Sequence, residues 1–268
     1  MSVRFDASAD RLIRTSNPLN YNSAYTLLYW GNLNALRSAW GDWFSINDGT
    51  ATNYDAFGID DTNHFYVQAT PGAGTVDAGA TLSTATWYGC MMRRESTTSL
   101  TARLYGTDFS QIKSINTNTD ISGRAASSRM EFNGTASEGE WSNMHTAYAK
   151  AWSTNLSDAE VLNELFSILP RKTDNLVGWW PMFPGSGERV RDYSGLGRDF
   201  TEGGTLTDED APPIGYGAYP SYFPRVVVPL SLEQEGFRFR NDDGSETTAT
   251  WAVSQDTNYS VAPSTLDR

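Results

Sequence analysis

A single cysteine, Cys90, and only two histidines, His64 and His145, occur in the 268 residues. An internal disulfide is therefore excluded, and Cys90, set in an apolar run, reads as a small buried hydrophobe. The histidines stand far apart with no second ligand type at zinc-site spacing, and no nucleophile-elbow pattern occurs, so neither zinc nor Ser-His-Asp chemistry has a motif. Long apolar runs are also missing. No segment approaches membrane-spanning length, and the opening "MSVRFDASADRLIRTS" has no apolar signal core, so folding in a cytoplasm without a signal peptide is expected. Basic charge is short as well: 20 Lys and Arg against 32 Asp and Glu leave a net charge of −12. Phosphate recognition needs the opposite sign, so nucleic acid is not an expected partner, and neither is a membrane. The glycine-rich "GSGERV" and "GLGRDF" match neither a phosphate-binding loop nor a dinucleotide fingerprint.

What is abundant points to β structure. Aromatic residues make up 13% of the chain and glycines number 23, a mix of pleated-surface formers and turn formers. Strand candidates follow one another from the start: "YTLLYWGNL" (25–33), "DWFSINDG" (42–49) ending in Asp-Gly, and "AFGIDDTNHFYVQAT" (56–70) folded about Asp60-Asp61-Thr62-Asn63. "TWYGCMMRRE" (86–95), "SLTARLYG" (99–106), "SRMEFNG" (128–134) and "NMHTAYAKAW" (143–152) continue the series, with Leu100, Ala102 and Leu104 on one face. Strand–helix alternation is absent, so the expected fold is all-β, an antiparallel two-sheet β-sandwich. One helix interrupts it, at about 157–169. Ser157 and Glu160 form a capping box, Val161, Leu162, Leu165, Phe166 and Leu169 recur at helical spacing, and Pro170 stops the run.

Three regions are expected: a sandwich over 1–211, a Pro/Tyr-rich connector over 212–231, and a small C-terminal β extension over 232–268. Five of the eleven prolines fall between Pro212 and Pro229, which suits a stiff linker. In the extension Phe237 and Phe239 alternate with Arg238 and Arg240, Asn-Asp-Asp-Gly makes the turn, and Trp251 follows. Its apolar surface is too small for a core of its own, so these five residues are the expected partner-docking set.

Residues 1 to about 210 resemble the laminin G-like modules of the concanavalin A-like jelly rolls. The likeness is carried by "SVRFDASADRLIRTS", "ATWYGCMMRRESTTSLTARLYGT", "EGEWSNMHTAYAKAWSTNLSDAEV" and "LVGWWPMF…GSGERVRDYSGLGRD", in that order. It implies that the helix lids the sandwich, its apolar stripe covering an open edge of the core. The C-terminal "GFRFRNDDGSETTATWAVSQDTN" resembles a short β motif attached to bacteriophage virion proteins. Together the two imply a non-enzymatic virion structural or surface protein, a capsid decoration or tail-associated component, external on the particle. Its partners would be other virion proteins or copies of itself.

The same fold group contains lectins and glucanases, which supplies two alternatives. A carbohydrate-binding lectin or adhesin for surface glycans needs an aromatic platform, and "SAWGDWFS" offers Trp40 and Trp43, with Tyr54 near. A strand begun at Asp42 would send Trp43 and Phe44 to opposite faces. A glycoside hydrolase needs two carboxyl groups about 5–5.5 Å apart. Glu138 and Glu140 have i, i+2 spacing but sit about Gly139 in a turn, and Asp208, Glu209 and Asp210 sit beside Pro212 in an expected loop. No cofactor is expected apart from a rim calcium, which some of these sandwiches carry and for which Asp48, Asp55, Asp60 and Asp61 are the candidate ligands.

Overall fold

The computed structural model describes residues 2–214 apart from 17, 21, 37, 51, 70–74 and 136–139, with 75–79 by backbone only. It also describes the backbone of 237–240, 246–249, 251–252 and 262–263. In chain order the strands are β1 (Ser2–Phe5), β2 (Arg11–Arg14), β3 (Tyr25–Ala35), β4 (Gly41–Asn47), β5 (Tyr54–Ile59), β6 (His64–Ala69), β7 (Thr75–Thr81) and β8 (Trp87–Ser96). There follow β9 (Ser99–Tyr105), β10 (Gln111–Thr117), β11 (Arg129–Phe132), β12 (Asn143–Trp152), helix α1 (Asp158–Leu165), β13 (Leu176–Trp180), β14 (Thr201–Gly203) and β15 (Thr207–Glu209). An eight-stranded sheet runs β10-β9-β8-β3-β12-β1-β15, with β13 also pairing β12, and a seven-stranded sheet runs β14-β2-β11-β4-β5-β6-β7. Every described pairing between these strands is antiparallel. The chain is an all-β two-sheet jelly-roll sandwich with one short helix.

Alternation decides what lies between the sheets. Leu100, Ala102 and Leu104 of β9 enter the core with Leu27, Tyr29 and Leu33 of β3, facing Phe44, Phe57, Phe65 and Phe132 from the other sheet. Tyr29 sits at the centre, its ring 5.3 Å from Phe132 and 5.8 Å from Phe57, both edge-on. Such pairs add about 0.5–1.5 kcal/mol each beyond the area they bury. Cys90 is fully buried in the same layer, and burial pushes its thiol far above the ordinary range.

The helix has its expected start. Ser157 Oγ accepts from Glu160 N, and Glu160 accepts from Ser157 N at 2.7 Å. Two features differ from expectation. First, α1 does not lid an open edge of the core. It lies on the outward face of the eight-stranded sheet, where Leu28, Trp30, Met91 and Tyr105 would otherwise be bare, and it covers them with Val161, Leu165 and Phe166. Trp30 Nε1 donates to Leu165 O at 2.8 Å, and Gly89 makes the approach possible, since a Cβ there would lie 2.6 Å from Leu165 Cδ2. Second, the helix ends at Leu165, and Leu169 is exposed. Lys150 of β12 is the reason: its Nζ donates to Glu164 O (2.6 Å), Leu169 O (3.3 Å) and Ser167 O, supplying by a side chain what another helical turn would have supplied.

The chain divides into two compact units, Met1–Tyr219 and Pro220–Arg268. In the second, β16 (Phe237–Arg240) pairs antiparallel with β17 (Glu246–Ala249), and β18 (Trp251–Ala252) pairs with β19 (Ala262–Pro263). The side chains of Phe237, Arg238, Phe239, Arg240 and Trp251, on which the docking expectation rests, lie outside the described residues.

Candidate functional site

Strands β4, β5 and β6 carry the expected ligand residues, and register sorts them. A β-bulge between Asp42 and Phe44 breaks the alternation, so Trp43 and Phe44 both turn inward and both are fully buried. Trp43 therefore offers no ring to a ligand, a correction to the expectation that one of the two faces out. Tyr54 is 4% exposed and is likewise no platform. Trp40, in the turn before β4, is half-buried, and its ring meets that of Tyr66 edge-on at 4.8 Å.

Tyr66 itself is locked. Asp42, Gly58 and Tyr66 occupy one row across β4, β5 and β6, and Gly58 has no side chain to stand between the other two. The Tyr66 hydroxyl reaches over it and donates to Asp42 Oδ1. Burial first, and then the Asp42 and Glu140 carboxylates, raise the Tyr66 phenol well above its usual range, so it stays a donor at any ordinary pH. Beside this trio runs the segment after β11, whose Glu140 carbonyl accepts from Asp42 N at 3.4 Å and whose Glu140 and Trp141 are half-buried. The rim is the part-exposed Trp40 indole resting on a buried tyrosine–aspartate pair, with the backbone of Glu140 and Trp141 running alongside. Sequence reasoning singled out Trp40 and missed Tyr66. The outward parity of Tyr66 between Phe65 and Val67 was visible, but the row it shares with Asp42 was not.

On β4 and β11 the side chains of Ser45, Asn47 and Glu131 are polar and buried. Buried Glu131 accepts from Asn47 Nδ2 (3.1 Å) and Arg129 Nη2 (3.0 Å), and Ser45 Oγ donates to Gly134 O (2.8 Å). These groups satisfy one another and hold the rim's backbone.

The four carboxylates expected at a calcium are not brought together. Asp55 is fully buried at one end of the core, where Oδ2 accepts from Tyr25 Oη and Arg94 Nε, both at 2.8 Å, and Oδ1 accepts from Arg94 Nη2 (2.5 Å) and Arg124 Nη1 (3.1 Å). Asp48 caps its own turn with bonds from Thr50 N (2.9 Å) and Asn53 Nδ2 (2.7 Å). Asp60 does the same with Thr62 N (2.8 Å) and His64 N (2.9 Å), while Asp61 is exposed. Partial burial pushes Asp48 and Asp60 up, yet these hydrogen bonds outweigh it and hold both below the usual carboxylate range. Among the described residues no group of three or more His, Cys, Asp or Glu is placed to hold a metal ion. The set does not fit calcium.

Glu138 lies outside the described residues. Asp42 is near Glu140 but is fully buried under Trp40 and Tyr66, out of reach of a sugar ring. Asp208 and Glu209, expected in a loop, form the edge strand β15 against β1, with Glu209 accepting from Arg4 Nη1 at 3.0 Å and Asp208 from Gly185 N at 2.8 Å. The Ser2–Asp210 bond ties down the strand end. Among the described residues no helix is long and apolar enough to cross a membrane.

No family's sequence profile matches the chain, and no curated protein matches it in sequence. Solved structures do match. A candidate carbohydrate-binding protein from Bacteroides ovatus ATCC 8483 aligns with a TM-score of 0.54 and 14% identity, over 80% of this chain and 61% of that one. This chain thus spans about three-fifths of that protein's length. The CBM40 of the Ruminococcus gnavus IT-sialidase, bound to α2,3-sialyllactose, aligns at 0.45 with 12% identity over 60% and 94% of the two chains. Tailspike protein 2 of the Escherichia coli O157:H7 bacteriophage CAB120 aligns at 0.47 with 11% identity over 63% and 25%. At these identities the first match speaks to the fold alone, and the other two are too distant to add to it.

Proposed function

We propose that this chain is a non-catalytic, cofactor-free glycan-binding sandwich, and that the Trp40 rim is where the glycan docks. The observation that carries the reading is the brace under Trp40. A part-exposed indole held by a ring whose own hydroxyl is tied to a buried carboxylate loses little freedom on binding, which is what a weak, flat ligand needs. The fold match to a candidate carbohydrate-binding protein supports the reading by analogy only. The test is a glycan array probed with the wild-type chain and Trp40→Ala, each in calcium and in chelator. Binding that is indifferent to calcium and falls about tenfold or more in Trp40→Ala is expected. An array without hits, or equal binding by both proteins, overturns it.

The particle on which such a module would be displayed is a separate part of the proposal. The extension's hairpin has only four paired positions per strand, and an isolated pair of that length is marginal in water. Its natural completion is another chain, a virion protein of a bacteriophage or a further copy, by strand addition. Deleting 232–268 should then abolish particle incorporation while leaving the sandwich folded; a deleted chain that still incorporates ends this reading.

A further inference from the structure

A second aromatic surface lies on the other sheet, away from the Trp40 rim, and sequence reasoning assigned it nothing. Trp179 of β13 faces outward and is half-buried. Tyr193 lies 5.8 Å from it, and Phe183 lies 5.2 Å beyond Tyr193 at 84°, so three part-exposed rings form one continuous patch. The Arg191 guanidinium stands 5.4 Å over the Tyr193 ring. The Tyr193 hydroxyl donates to Glu188, and Arg191 Nη1 bonds the same carboxylate group at 3.2 Å. Both charged side chains are about half exposed, 46% for Glu188 and 57% for Arg191.

The loop that presents the patch is fixed. Buried Asp192 accepts four bonds: from Trp179 N (3.0 Å) and Ser194 N (2.9 Å) at Oδ1, and from Ser194 Oγ (2.8 Å) and Arg198 N (2.9 Å) at Oδ2. Tyr193 N donates to Trp179 O at 2.8 Å, and Arg198 Nη1 to Val177 O at 2.6 Å. The rings are thus held ready before any ligand arrives, which removes most of the ordering cost.

Area and charge select the occupant. Three rings of about 150–250 Å² each, none more than about a third exposed, offer at most on the order of 200 Å². A stable protein interface needs about 800 Å² per partner, so another protein is too large a demand. An apolar ligand would want a cavity, and it would have to desolvate Glu188 and Arg191. One or two sugar units suit both constraints, with ring faces for the C–H side and a carboxylate–guanidinium pair for the hydroxyls. We propose that Trp179, Tyr193 and Phe183, with Glu188 and Arg191, form a second carbohydrate-binding site, independent of the Trp40 rim.

The test titrates the full chain with cellohexaose, xylohexaose and chitohexaose up to about 10 mM, a range suited to millimolar affinity. It follows the Trp179 indole N–H by NMR, assigned with Trp179→Phe. That signal is expected to move with at least one oligosaccharide in both the wild type and Trp40→Ala. Tyr193→Ala should weaken the binding about tenfold, and Tyr193→Phe, which keeps the ring and loses only the Glu188 bond, by less. The urea midpoint of each variant and the unmoved Trp180 indole report that the fold is retained. A Trp179 signal that ignores all three sugars, or affinity unchanged in Tyr193→Ala, overturns the proposal. If Trp40→Ala alone removes all binding, this patch is refuted and the rim stands; if Tyr193→Ala alone removes it, the rim is refuted and this patch stands.

Discussion

Replacing Asp55 by Asn tests the account of the core most severely. The two side chains have nearly the same shape, so the change removes charge and little else. In the native chain the Asp55 carboxylate receives four donors, two from Arg94, one from Arg124 and one from Tyr25, and neither Asp55 nor Arg94 is exposed to water. Burial by itself lowers the Arg94 pKa, but the Asp55 charge and hydrogen bonds more than restore it, so the guanidinium stays protonated inside the sandwich. An amide in place of the carboxylate keeps one acceptor oxygen and turns an NH2 toward a cation. Breaking one partner of a buried ion pair in this way costs about 3–5 kcal/mol.

For a unit of roughly 200 residues that cost lowers the melting midpoint by about 6–20 °C, readable by calorimetry at neutral pH or from urea midpoints. The double variant Asp55→Asn with Arg94→Met should cost about 1–3 kcal/mol less than the sum of the single changes, because it no longer strands Arg94 and leaves only Arg124 facing the amide. A loss below about 1 kcal/mol in Asp55→Asn would refute the buried pair. The same samples decide the calcium expectation. If calcium raises the wild-type midpoint and Asp55→Asn removes that rise, Asp55 is a metal ligand after all and the geometric reading falls.

Two further perturbations probe the helix. Burial, partly offset by Glu164, pushes Lys150 down from 10.5 to about 8, so between those values the unfolded chain holds a proton the native chain has released, and native stability gains as pH rises. Lys150→Met should cost about 3–5 kcal/mol by leaving Glu164 Oε2 and the Glu164, Ser167 and Leu169 carbonyls without their donor, and the stability difference between wild type and variant should widen by up to about 1.4 kcal/mol per pH unit above pH 8; a difference that is flat with pH contradicts the assignment. Gly89→Ala would place a methyl group 2.6 Å from Leu165 Cδ2, lifting α1 off the sheet for about 1–3 kcal/mol, and Leu165→Ala should absorb part of that cost. Equal urea midpoints for wild type and Gly89→Ala would show that the helix does not sit where it is described.

How far the sequence could be read depended on whether a feature was local. The capping box at Ser157 and Glu160 needs only four residues, and the Asn133-Gly134 turn only two, both with positive φ (67° and 139°), so both were visible. Period-two burial made β9 visible for the same reason. The misplaced features all depend on a residue distant in sequence. The helix was drawn to Leu169 because nothing near Pro170 reveals that Lys150, on another element, will take the terminal carbonyls. Alternation alone splits Trp43 and Phe44 between the two faces, whereas both are buried, because a bulge is a property of a strand and its partner together. β15 passed for a loop because its three residues make sense only against β1.

Asp55 is the instructive middle case. It shares inward parity with Phe57 and Ile59, as Arg94 does with Met92 and Cys90, so each strand by itself placed a charge in the core. An inward charge demands a counter-charge. Two strands with opposite unexplained signs were therefore already a statement that β5 and β8 lie on facing sheets, and calcium was never required to account for Asp55. The two proposed glycan surfaces mark the other end of that scale. Trp40 could be nominated because a loop tryptophan is conspicuous, whereas Trp179 became a surface only when Asp192 folded its loop back and laid Tyr193 and Phe183 alongside it. Burial accounts for most aromatics among the described residues; Trp40 and Trp179 are among those left part-exposed, one resting on a tyrosine bonded to Asp42 and the other on a strand whose backbone bonds Asp192.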